Sequence, residues 1–208
     1  MILTDKEIRR YSQREDGPLI APFHEDQLQA ASYDVQLSGR IATFKKTVQT
    51  VDLSDPDFDG TNLYEEVQFM DDDGYILNPH EYVLVELQEV LTIPDNCVAH
   101  IRPRTRHIRG GLLVVGQHCN PTYSGKLFIG ICNMSPNAFR LKRGIRIAQV
   151  VFEELTGSPS YEKQYENKNN AAYMNETEFR GSVPSEIGWT EKLQQSYQEL
   201  LRGLKEGL

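Results

Sequence analysis

The sequence is poor in cysteine: Cys97, Cys119 and Cys132 are the only three in 208 residues, and no two form a C-x-x-C pair. An odd count without paired spacing argues against a disulfide framework and fits a reducing compartment, so a cytoplasmic location is expected. Long apolar runs are missing too. The N-terminus, MILTDKEIRRYSQRED, is charged within five residues, unlike a signal peptide, and no stretch approaches the roughly 18 apolar residues of a membrane span. Overall positive charge is lacking as well. The formal net charge of -8 argues against general nucleic-acid binding, which gains from a basic surface that releases counterions. No G-x-S-x-G, P-loop or G-x-G-x-x-G occurs, so acyl-transfer, Walker-type and Rossmann readings have no support.

What charge there is divides along the chain. Between Thr47 and Ile101 there are thirteen Asp or Glu and no Lys or Arg. From Asn96 to Phe152 there are nine Lys or Arg and no carboxylate, a stretch suited to a small polyanion. Its densest part is RPRTRHIRGG, residues 102–111, where four arginines supply forked donors and Gly110-Gly111 a backbone that can approach phosphate oxygens.

Residues 4–14 predict a short helix, with Thr4 as N-cap and Glu7 completing a capping box. From Ser32 onward strand signals dominate: SYDVQLSGRIATF, YVLVELQEVLTI, CVAHIRP, GLLVVG, KLFIGICN and IRIAQVVFEEL are β-branched or alternating runs broken by turn residues. Many short strands without a βαβ rhythm predict a mainly β sandwich or barrel. Gly157–Ser185 is polar and reads as a tail or lid. The last stretch, WTEKLQQSYQELLRGLKEGL, repeats leucine near helical spacing and reads as an added amphipathic helix over 188–208.

Two constellations invite a metal. Asp55, Asp57, Asp59, Gly60 and Glu66 match the calcium-loop spacing, but the strand-like flanks, Pro56 and Asn62 favour an acidic surface loop. His118 and Cys119 are strand neighbours, whose side chains point to opposite faces and cannot easily share one ion. Zinc-dependent nucleobase deaminases need a His or Cys ligand, a nearby Glu and a P-C-x-x-C element; none is present, so no zinc is expected.

PFHEDQLQAASYDVQL (22–37) and GYILNPHEYVLVELQEVLTIPDNCVAHIRPRTR (74–106) resemble the dCTP deaminase and dUTPase family, closest to its deaminase branch. NPTYSGKLFIGICNMSPNAFRLKRGIRIAQVVFEEL (120–155) is similar to the family's hydrophobic strand pair and closing turn, and AAYMNETEFRGSVPS (171–185) to its C-terminal segment over bound nucleotide. The resemblance covers residues 1–187, with 157–187 as lid or tail. It implies a distorted β-barrel of the dUTPase-like type, a homotrimer with sites between subunits, and a pyrimidine deoxynucleoside triphosphate as ligand. That ligand would bring Mg through its phosphates; no protein metal ligand is implied.

Residue by residue, the resemblance carries departures. The family's phosphate motif, Arg-Ser with a second Arg shortly after, falls on Arg104-Thr105 with Arg109, or on Arg102-Pro103 with His107; the first keeps the hydroxyl and both cations and is preferred. The dUTPase branch's water-activating Asp falls on Asn120, and the deaminase branch's proton-shuttling Glu falls on Gly130. Ala172 precedes Tyr173 where the family carries Lys. Tyr123, Gln149 and Tyr173 are the remaining nucleotide-binding candidates. Metal-free deamination needs a group that takes a proton from water and returns it to the leaving amine; replacements could be Glu86, Glu153, Glu154, Glu176, Glu178 or His118. Deamination of dCTP or a relative to dUTP is the leading expectation. A catalytically silent nucleotide sensor and a deoxynucleotide diphosphatase stand beside it.

Overall fold

A computed structural model describes residues 1–47, 49–52, 58–65, 68–168 and 171–182. Asp55, Asp57 and Glu66 of the acidic loop, and the helix expected over 188–208, lie outside the described residues.

The first helix, α1 (Asp5–Ser12), buries Ile8 and Tyr11. It starts after Thr4 as predicted, but the capping box does not form: Thr4 makes no side-chain bond to the helix backbone, and its hydroxyl donates instead to the Glu7 carboxylate. Among the described residues the strands are β1 (Ile20–Ala21), β2 (Leu28–Gln29), β3 (Ser32–Thr43), β4 (Gln68–Phe69), β5 (Tyr75–Leu77), β6 (Tyr82–Thr92), β7 (Cys97–Pro103), β8 (Leu112–Val114), β9 (Gln117–Cys119), β10 (Ser124–Asn133), β11 (Phe139–Leu141) and β12 (Arg146–Glu154). The main sheet runs β8-β10-β6-β3-β12-β7-β9, every pair antiparallel.

Closure follows from connectivity. β8 and β9 stand at the two ends of that path, yet only Val115 and Gly116 separate them in the chain. Three peptide steps span at most about 11 Å, so the sheet has to curl until its ends nearly meet. The result is the mainly β, barrel-like fold expected. Alternation supplies its core: Val83, Val85, Leu87 and Leu91 from β6, Leu127, Ile129 and Ile131 from β10, and Val35, Leu37 and Ile41 from β3 are buried. Each such side chain contributes on the order of 1.5–3 kcal/mol relative to exposure.

A second helix, α2 (Thr105–Gly110), was not anticipated. It follows β7 with Arg104 at its N-cap and ends at Gly111, whose φ of 85° is the left-handed cap that glycine supplies most cheaply. A Cβ at Gly111 would also stand 2.9 Å from the Ser135 Cβ. This glycine therefore serves the helix end rather than phosphate approach.

Candidate functional site

The arginine-rich segment is pinned to the barrel from beneath. Asp34 on β3 is buried and holds the Arg104 guanidinium at 3.1 Å, while Arg104 also donates to the Arg146 carbonyl at 3.1 Å. Burial pushes the Asp34 carboxyl up, and Arg104 and then Arg146 pull it partly back. Arg146 itself pairs with Asp26. Next to Asp34 lies Glu89, fully buried, accepting from the Gln27 amide at 2.8 Å and from the Gln36 backbone at 3.0 Å. Burial is the first cause of its raised pKa. Above this network Arg104, Arg106, His107 and Arg146 line a cavity of about 550 Å³ together with Leu112, Phe139 and Ile145. Thr105 and Arg109 are exposed on α2 and do not line it. Among the described residues Arg106 and Arg109 have no ion-pair partner.

A second cavity, of about 340 Å³, brings together His118, Asn120, Tyr123 and Tyr173, with Gln117, Cys119, Leu127, Tyr165, Lys168 and Ala172 completing its wall. The tail closes one side: Tyr165 donates its backbone N–H to the Pro121 carbonyl, Asn175 donates to Ser124, and the Tyr173 hydroxyl donates to the Gly181 carbonyl at 3.0 Å. Tyr123 is buried, meets Tyr165 edge to face at 5.5 Å, and has its phenol pushed well above the ordinary range, chiefly by burial. His118 is exposed at its edge, yet the tail beside it removes enough water to lower its pKa below 6.5; His100 and Lys168 lower it further, and a hydrogen bond to Asn120 opposes them. The neighbouring Cys119 is buried and its thiol is pushed up to about 12, so it is no nucleophile at neutral pH.

The two cavities share no lining residue. Gln149 lines neither: it sits on β12 in register between Asp34 and Arg102. Gly130 explains itself locally. A Cβ there would stand 2.3 Å from the Tyr82 hydroxyl and 2.9 Å from two of its ring carbons, so Tyr82 fills the space a side chain would need. Of the replacement acids, Glu86 is buried between Arg40 and Lys126, and Glu153 lies 3.9 Å from His100. Glu176 is half-buried, with its pKa raised chiefly by burial.

The magnesium expected with the ligand is a correction. Among the described residues no group of three or more His, Cys, Asp or Glu is gathered where it could hold a metal ion. The buried acids are committed elsewhere, Asp34 to Arg104 and Glu86 to Arg40 and Lys126. No helix among the described residues is long and apolar enough to cross a membrane.

Sequence reasoning missed Tyr82, His100, Tyr165 and Lys168. None carries a local motif; register and the path of the tail bring them to their places.

A curled antiparallel sheet with a cationic cavity and a tyrosine-lined one makes a barrel-like fold of the dUTPase-like type. A family model described as dCTP deaminase-like matches residues 2–155, and the chain belongs to that family. It is 32% identical to the dUMP-forming dCTP deaminase of Methanosphaera stadtmanae over 183 residues, 85% of this chain and 90% of that one. It is 29% identical to that of Mycobacterium tuberculosis over 205 residues, 97% and 99% of the two chains. In fold it is similar to the 2'-deoxycytidine 5'-triphosphate deaminase of Agrobacterium tumefaciens, with a TM-score of 0.59 and 21% identity over 74% of this chain. The match spans only 48% of that chain, about half its length.

Proposed function

We propose that the protein binds a pyrimidine deoxynucleoside triphosphate and hydrolyses dCTP, or a close relative of it, to dUTP and ammonia. The relatives named as dUMP-forming dCTP deaminases support the substrate class. The observation that carries the reaction is His118 on the wall of the 340 Å³ cavity, bonded to Asn120 and biased toward the neutral imidazole that can take a proton from water. His118 is the proton carrier in this reading and Asn120 its partner. Tyr123 and Tyr173 flank the base, and Arg104, Thr105 and Arg109 serve the phosphates. A homotrimer with sites between subunits, as the resemblance to the family implies, is part of the proposal. The three unpaired thiols support a cytoplasmic setting.

Gly130 favours a second reading. With Tyr82 in the space and Asn120 in place of an acid, the fold would serve as a receptor that binds the nucleotide and leaves it unchanged. Incubating the purified protein with dCTP, dUTP, CTP and dTTP, followed by chromatography and mass spectrometry, separates the readings. Deamination yields dUTP or dUMP from dCTP. Pyrophosphate release from dUTP alone would replace deamination by diphosphatase chemistry, and tight binding without turnover would establish the receptor.

A further inference from the structure

His118 does not stand alone on its sheet face. β9 pairs with β7 so that His118 lies directly opposite His100, and directly paired residues project from the same face. Their rings are 5.0 Å apart, tilted by 52°. On the other side of β7, β12 pairs Val98 with Glu153 and His100 with Val151, which sets Glu153 diagonally across from His100. Its carboxylate lies 3.9 Å from the His100 Nε2. Glu153, His100, His118 and Asn120 thus form one row across three strands, ending at the 340 Å³ cavity.

We infer that Glu153 and His100 are positioning residues for His118: His100 lies against its ring and Glu153 closes the row behind His100, so that His118 is held turned toward Asn120 and the cavity. This rests on the proposed role of His118 in the reaction. Two imidazoles in contact resist carrying charge together, and His100 beside it lowers the His118 pKa. Glu153 lies against His100, whereas the cation beside His118 is Lys168. Tyr165 and Tyr173 are the other titratable groups around the cavity from the tail, and burial pushes the Tyr165 phenol up. When His118 accepts a proton from a cavity water, His100 and Lys168 beside it disfavour the new charge. That bias drives the proton onward to the leaving amine.

The test is an NMR titration of the imidazole resonances in the whole protein, with His100→Gln and Glu153→Gln as variants. Both sites are partly exposed, and the amides preserve bulk. In the wild type His118 should titrate below the ordinary 6.5. In His100→Gln the His118 midpoint should rise by about half a pH unit, the size of a unit charge about 5 Å away in a water-like medium. In Glu153→Gln the ring-proton contact between His100 and His118 should weaken. An unmoved His118 midpoint in His100→Gln, or an unchanged ring contact in Glu153→Gln, overturns the assignment whether or not the protein turns over any nucleotide. Where turnover is found, the acid limb of kcat should shift with the His118 midpoint while KM stays fixed. Shifted midpoints without turnover would uphold the row while removing deamination.

Discussion

The two cavities of this barrel differ in how they treat charge. The larger one is lined by arginines, one of which, Arg104, is countered directly by the buried carboxylate of Asp34. The smaller one holds, among the described residues, a single cation, Lys168, beside phenols whose pKa is raised by burial, an amide at Asn120, and an imidazole biased toward its neutral form. A triphosphate and a neutral heterocycle ask for these two environments in turn. The difference teaches that, on the proposed reading, phosphate recognition and proton transfer would fall to separate patches of this chain.

The largest effect is expected outside both cavities, where an acid is forced against Tyr82. Gly130→Glu would drive its Cβ into Tyr82 and bury a carboxylate, costing roughly 3 kcal/mol or more in urea unfolding. Gly130→Glu combined with Tyr82→Ala should regain much of that loss. A single variant as stable as the wild type would mean that Tyr82 does not own the space. Next comes the support of the cationic cavity. Arg104→Ala leaves the buried Asp34 without its ion-pair partner, an expected loss of about 3 kcal/mol that Asp34→Asn added to it should partly restore. Equal stabilities for wild type and Arg104→Ala would show the pair to be idle.

Arg109→Ala sharpens the contrast because the exposed Arg109 supports nothing in the fold. Its stability should match the wild type, while triphosphate affinity measured by calorimetry drops about tenfold, as for a lost charged hydrogen bond. Unchanged affinity would move the phosphate contact to Arg102 and His107, the other register.

The barrel was legible because period-2 burial is written into SYDVQLSGRIAT, YVLVELQEVLT and KLFIGICN, and a slip by one residue would turn each apolar set outward. The arginine segment was legible as chemistry but not as shape. Nothing in RTRHIRGG announces a six-residue helix, since one turn and a half is held by its ends and its docking rather than by propensity. His118 could be singled out as the titratable group, and Asn120 as its neighbour, from sequence alone. His100 could not, because pairing across strands depends on loop lengths and barrel closure that no local pattern encodes. Gly130 read as a missing acid; only the packed Tyr82 reveals that the place is filled rather than empty.

The smallest effect concerns pH, and here the two regions pull in opposite directions. Glu89 has a raised pKa in the folded chain, so between the ordinary 4.5 and that higher value the folded state holds a proton that the unfolded state has released. Its contribution is present below pH 4.5 and is lost as pH rises through the folded value, with a slope of at most about 1.4 kcal/mol per pH unit. His118 has a lowered pKa, so the unfolded state takes up its proton first, and its contribution is lost as pH falls below 6.5. Glu89→Gln removes only the first of these. The variant should lose stability less steeply than the wild type as pH climbs from 4.5 toward 7, while its decline on the acid side of 6.5, driven by His118, persists. Urea midpoints at pH 4.5, 6 and 7.5 measure both slopes. Identical pH dependence in variant and wild type would mean that Glu89 ionises as an ordinary carboxyl.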